Sequence, residues 1–259
     1  MKSTKQKRKK RTAANSEQGL YEHFAEIRLR LALSLLVFVA AFGLCYVFAQ
    51  EIFNILIIPL ERAMEQHGGT KRMIFTSVAE GFIVYLKLAG FGGFVLSFPF
   101  FVYQIWRFLA PGLYKGERRI IAPFLVFSPL LFVLGGLFVY FFILPLAWNF
   151  LLGFQSSMTV LPIELEARIS EYLSLVTGLM IAFGISFQLP VVLILLVRFG
   201  ILSVDSLRKF RRFAIVIIFT VAAFITPPDV ISQIGLAIPL LLLYEAAILI
   251  SGRKTETAQ

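Results

Sequence analysis

The chain is polar at its start and then turns apolar in blocks. Residues 1–19 are polar, with Lys5 to Arg11 almost all basic. An amphipathic stub, Tyr21 to Leu31, leads into the first apolar block, about Leu31 to Gln50. Further blocks run from about Phe82 to Ile105, Ile120 to Leu144, Glu171 to Val197, Phe213 to Ile225 and Ile234 to Ile250. A bilayer crossing takes about 20 apolar residues. Inside hydrocarbon the backbone must satisfy its own hydrogen bonds, so these blocks are expected to be transmembrane helices. The first block is longer than the about 7–15 apolar residues of a cleaved leader and is expected to stay as an anchor.

Between the blocks lie four connections and a turn. Residues 51–80 form a first outer loop, with Pro59, Gly68 and Gly69 as breakers. Residues 106–119 form a short basic loop, 146–170 a longer outer loop, and 198–212 a second basic loop. Thr226-Pro227-Pro228-Asp229 is a tight outer turn, and the tail 251–259 is polar. The expected organisation is a basic, disordered tail at 1–19, a membrane domain at 20–250 and a polar tail.

Charge orients the blocks. The net charge is +10, and twenty of the 25 Lys and Arg residues fall in the tails, the amphipathic stub and the basic loops. Arg62, Lys71, Arg72 and Arg168 fall in outer segments, and Lys87 lies near the outer end of the second block. Basic segments stay inside, so both termini are expected in the cytoplasm. Nucleic acid is not an expected partner, because no aromatic residues interleave the basic run. The tail suits an anionic bilayer surface instead.

The fold class expected is all-α, with six kinked transmembrane helices in a bowl-like bundle. Pro99, Pro123, Pro129, Pro190 and Pro239 fall inside blocks. Gly90, Gly92, Gly93, Gly135, Gly136, Gly178 and Gly184 supply close-packing or bending points. The fifth and sixth blocks are short. Thirteen residues from Phe213 to Ile225 reach roughly 20 Å against about 30 Å of hydrocarbon. The bilayer is expected to thin there.

Hydrophobic residues make up 58% of the chain and charged residues 15%, with a mean hydropathy of +0.83. This excludes an ordinary soluble domain. Cys45 is the one cysteine, and His23 and His67 both fall outside the blocks. There is no phosphate-binding Gly-x-x-x-x-Gly-Lys-Ser/Thr loop and no His-Glu-x-x-His zinc pattern. No enzyme and no cofactor are expected. Outside the tails the inner side holds few acids: Glu22, Glu26, Glu117 and Asp205, with Glu245 near the inner end of the sixth block. An aimed carboxylate in a basic field suits a guanidinium, whose planar fork it can bind at two points. Glu26 also stands four residues before Arg30, the spacing of a helical ion pair. Glu117 can neutralise Arg118 or Arg119, and Gln188 can bond to a neighbouring helix.

Four stretches carry a family resemblance. They are His23-x-x-Glu26-x-Arg28-x-Arg30-Leu31; Tyr103-Gln104-x-Trp106-x-Phe108-x-x-Pro111-Gly112-Leu113 with Glu117-Arg118-Arg119; Ala182-Phe183-Gly184-x-x-Phe187; and Thr226-Pro227-Pro228-Asp229 with Gln233. In order and spacing, over about Tyr21 to Leu249, the chain resembles the TatC family, the multispanning receptor subunit of the twin-arginine protein translocase. The resemblance implies a bacterial inner-membrane protein that binds twin-arginine signal peptides on its cytoplasmic face. It implies single-span TatA and TatB partners, self-association, and transport of folded proteins driven by the proton-motive force. Glu26, Arg28, Phe108 and Glu117 match the signal-binding patch, with the two glutamates meeting the arginines. Arg28 is expected to hold Glu26 in place. Tyr140, Thr226 and Gln233 match the polar set where a partner helix docks, and Pro59 matches a structural position. Gln188 stands where many family members have glutamate; it can hydrogen-bond to a partner but cannot titrate. Competing readings are a small-solute transporter, which would need charged midplane sites, and a scaffold without arginine preference.

Overall fold

Backbone groups shielded from water pair most simply within helices, and helices account for most of the chain. The structure, a computed structural model, describes residues 2–66, 72–109, 118–153, 166–226 and 230–255. In order these form α1 (Lys2–Val47), α2 (Ala49–Gln66), β1 (Met73–Ile74), α3 (Glu80–Leu109), α4 (Arg118–Phe138), a π turn (Val139–Ile143), α5 (Leu144–Leu152), β2 (Ala167–Arg168), α6 (Ile169–Ser186), α7 (Leu189–Arg198), α8 (Val204–Ile225) and α9 (Val230–Thr255).

Five stretches among the described residues are long and apolar enough to cross a membrane. They are Ala25–Val47, Glu80–Phe108, Pro123–Leu152, Ile169–Arg198 and Ser232–Gly252. Helix α8 is not among them, because Asp205, Arg208, Lys209, Arg211 and Arg212 crowd its first half. Its apolar remainder is the short fifth block read from the sequence.

Several boundaries differ from the sequence expectation. Helix α1 begins at Lys2, so the tail expected to be disordered continues into the first block as helix. Its Lys, Arg, Gln, Glu and Ala residues are good helix formers. The first outer loop is mostly helix. Pro59 sits buried inside α2 rather than breaking it, while Gly68 and Gly69 lie outside the described residues. Helix α2 forms because it is two-faced: Leu56, Leu60, Ala63 and Met64 are buried while Glu51, Glu61, Arg62 and Glu65 are exposed. The third block runs on to Leu152. Pro145 has no N–H to give to the carbonyl of Phe141, and the π turn before α5 takes up that mismatch. The fourth block breaks at Phe187 and Gln188, just ahead of Pro190. The sixth is not short: its apolar stretch has 21 residues, because Ser232 and Ser251 continue it as buried positions.

Two close helix approaches explain two of the predicted glycines. A Cβ on Gly93 of α3 would lie 2.9 Å from Phe42 Cα of α1. A Cβ on Gly135 of α4 would lie 2.8 Å from the Phe183 carbonyl oxygen of α6. Gly178 is different, with nothing within 4 Å of its Cβ position. The largest core cluster joins α2, α3, the π turn, α5, α6, α8 and α9 around fully buried Leu60, Leu88, Ile143, Phe183 and Leu236. A smaller cluster of Val102, Trp106, Val191 and Leu195 ties the end of α3 to α7. Many large apolar side chains remain exposed, including Leu31, Leu36, Phe142 and Phe224. In a membrane protein that surface faces lipid.

The sequence pattern did not reveal one element. Strands β1 and β2 pair in parallel, Met73 with Ala167 and Ile74 with Arg168. Buried Glu80, at the start of α3, fastens this junction. Its Oε2 accepts from the Thr76 N–H at 2.8 Å and the Ser77 N–H at 3.3 Å, and its Oε1 accepts from the Ser170 N–H at 3.1 Å. Arg168 Nε lies 3.4 Å from Oε1, a charge contact whose angle is too poor for a hydrogen bond.

Candidate signal-recognition and docking sites

The first candidate site is built where α1 emerges from its polar stub beside the end of α3. Glu26 and Arg30 are one helical turn apart and form the i,i+4 ion pair that their spacing predicted. Arg30 also reaches across to α3, where its Nη1 donates to the backbone carbonyl of Gln104 at 3.3 Å. The Arg30 side chain is 13% exposed and that of Glu26 is 39% exposed. The guanidinium is therefore mostly enclosed, while the carboxylate retains an open side. On a free helix such a pair is worth only about 0.3–0.5 kcal/mol. Here its main effect is geometric, because the α3 contact fixes where the carboxylate stands.

The other predicted members are placed less uniformly. Arg28 is exposed two residues from Glu26, and helical geometry turns it to the opposite side of α1. The residue that holds Glu26 is thus Arg30, correcting the role expected of Arg28. Phe108 is half-buried near the end of α3, one turn beyond Gln104. Glu117 lies outside the described residues.

The predicted docking residues divide into three places. Where α8 ends and α9 begins, Thr226 Oγ1 donates to the Ala222 carbonyl at 2.9 Å, and Gln233 Nε2 donates to the Phe219 carbonyl at 3.2 Å. Gln233 and Thr220 are the polar lining of an open, otherwise apolar groove that includes Phe219 and Phe224. Tyr140 stands apart. Its hydroxyl donates to the Ile55 carbonyl of α2 at 2.8 Å, beside Pro59. Gln188 turns inward, where its amide bonds to both the side chain and the backbone of Ser128 on α4.

Sequence reasoning missed Glu80, although Ser77-x-x-Glu80 is the pattern of a capping box, in which the glutamate reaches back to the first N–H groups. It also missed the Gln104 carbonyl, because a backbone acceptor leaves no mark in the sequence.

Long apolar helices, glycine-tight crossings and interior polar groups that bond to one another or to helix backbone define a multi-pass helical membrane protein. The family model of the Sec-independent protein translocase protein TatC matches residues 22–239. The TatC protein of Rickettsia prowazekii (strain Madrid E) is 46% identical over 230 residues, covering 88% of this chain and 90% of the relative. That of Escherichia coli (strain K12) is 42% identical over 235 residues, covering 90% and 88%. A crystal structure described as the twin arginine translocase receptor TatC superposes with a TM-score of 0.76 at 39% identity, covering 90% of this chain and 99% of that one. The chain belongs to the TatC family and is a component of the Sec-independent protein translocase.

Proposed function

We propose that this chain is the receptor that reads twin-arginine signal peptides at the cytoplasmic face of a bacterial inner membrane, with both termini in the cytoplasm. The observation that carries the reading is the half-open Glu26 carboxylate, held by Arg30 against the end of α3. A fixed carboxylate with a free side suits an incoming guanidinium, and arginine fits it better than lysine. Glu117 supplies the second carboxylate, and Phe108 packs the apolar flank of the motif. Single-span TatA and TatB helices dock on the groove at Gln233 and Thr226, copies of the chain self-associate, and the proton-motive force drives transport. The solved structure similar to this chain carries the name of a twin-arginine translocase receptor, which supports the same assignment.

The test is binding of a fluorescent twin-arginine signal peptide to the detergent-solubilised chain, beside its Lys-Lys version. Losing one partner of a charge-assisted contact costs about 1.5–3 kcal/mol, or more than about tenfold in affinity. Glu26→Ala, Glu117→Ala and the Lys-Lys peptide are each expected to show that loss. Equal binding throughout would sink the receptor reading and leave a scaffold.

A further inference from the structure

Two cavities follow one another along the seam between α2 and the segment running from α4 through the π turn into α5. The first is an apolar groove of about 450 Å³, lined by Ile52, Ile55 and Leu56 of α2 and by Phe132, Gly136 and Leu137 of α4, with α1 and α3 forming its further walls. The second is a recess of about 180 Å³, lined by Pro59, Arg62 and Gln66 of α2 and by Tyr140 and Asn149 across the seam. The spacing from Ile52 through Leu56, Pro59 and Arg62 to Gln66 is helical, as is that from Phe132 through Gly136 to Tyr140, so each element shows one continuous face to both cavities. The apolar cavity comes first along both elements and the polar one second.

The recess is rich in donors. Arg62 brings a permanent positive charge and a fork of N–H groups, and Gln66 offers an amide. Asn149 uses one amide hydrogen on the Pro145 carbonyl at 2.9 Å and keeps a second. Tyr140 lines the recess and donates to the carbonyl of Ile55, which lines the groove, so the two cavities adjoin at this pair. A phosphate is the ligand that such donors suit, being anionic and rich in acceptor oxygens. An apolar groove adjoining a phosphate-sized recess has the polarity of a phospholipid.

We infer that this seam is a binding site for one glycerophospholipid, with its phosphate at Arg62 and an acyl chain in the groove beside Gly136. The site is separate from the Glu26 patch and from the groove at Gln233.

Delipidated full-length protein in detergent is titrated by native mass spectrometry with three probes: dioleoyl phosphatidylglycerol, dioleoylglycerol, which lacks the phosphate, and glycerol 3-phosphate, which lacks the chains. Phosphatidylglycerol is expected to bind more tightly than either fragment. Arg62→Gln, at an exposed position, is expected to weaken phosphatidylglycerol about fivefold, the effect of one basic residue at a membrane surface, and to leave dioleoylglycerol unchanged. Gly136→Leu is expected to weaken both chain-bearing probes. A Cβ at Gly136 would meet only Met180 Cε at 3.6 Å, so the added side chain enters the groove without disturbing backbone. Equal affinity for phosphatidylglycerol and dioleoylglycerol, or no effect of Arg62→Gln, would overturn the inference. So would loss of the lipid whenever a second copy of the chain binds, which would assign the seam to a protein contact.

Discussion

Gln188 and Ser128 bond to each other twice. The Ser128 hydroxyl donates to the Gln188 amide oxygen at 2.5 Å, and the Gln188 amide nitrogen donates to the Ser128 carbonyl at 2.9 Å. The break between α6 and α7 is thereby tied to α4 inside the apolar bundle. Truncating either partner strands the other. Gln188→Leu is expected to lower thermal stability in detergent by about 1–2 kcal/mol. Adding Ser128→Ala should cost less than the two single losses combined. Thermal unfolding of the four proteins of the cycle measures that coupling, and strict additivity would show the two side chains acting independently.

The two kinds of glycine should respond in opposite ways. Gly135→Ala places a Cβ 2.8 Å from the Phe183 carbonyl oxygen, which forces α4 and α6 apart at a cost of about 1–3 kcal/mol. Gly178→Ala meets nothing within 4 Å and adds helix propensity, about 0.5–1 kcal/mol in its favour. Unfolding of both variants side by side checks the contrast, and a shared direction of change would refute the assigned packing.

Arg30 separates anchoring from mere charge. Arg30→Gln removes both the Glu26 pair and the Gln104 contact, and it is expected to weaken twin-arginine peptide binding about tenfold. Arg28→Gln leaves both contacts standing. If anchoring of Glu26 is what matters, it should weaken the peptide less than Arg30→Gln does. The same fluorescence titration reads both, and a larger loss for Arg28→Gln would move the recognition face to the other side of α1.

Glu80 holds backbone N–H groups of both segments that carry the paired strands. Glu80→Ala is expected to lower the melting temperature and to speed amide exchange at Thr76, Ser77 and Ser170 together. Glu80→Gln retains an acceptor oxygen and should fall between the variant and the wild type. Exchange that rises at Thr76 and Ser77 but not at Ser170 would show that the junction is not shared.

Local order was readable wherever one element contained the whole signal. The long apolar blocks marked the spans because a bilayer demands length and composition together. The Glu26–Arg30 pair was readable because its spacing is a helical turn. Contacts between elements were not. Gln188 was expected to bond to a neighbouring helix, but nothing in its surroundings named Ser128, 60 residues away. Arg30 finds a backbone carbonyl 74 residues away. Strands of two residues are too short to carry an alternating pattern. Helix α2 was read as loop because Pro59 was given the weight of a breaker, whereas the burial of its two-faced helix outweighs one missing N–H.

The β1–β2 pairing has a consequence for the order in which the chain is assembled. Its two partners, Ile74 and Arg168, are separated in sequence by α3 and by the whole run from α4 to α5. Parallel neighbours cannot be joined by a tight turn, so these strands meet only after that intervening hairpin has crossed the bilayer and come back. The Glu80 junction therefore closes only once α3, α4 and α5 are in place. A chain whose α3 or α4 stalls during insertion would leave both strand edges unpaired and Glu80 Oε1 without the Ser170 N–H, so the junction reports whether the first half of the molecule has been put together.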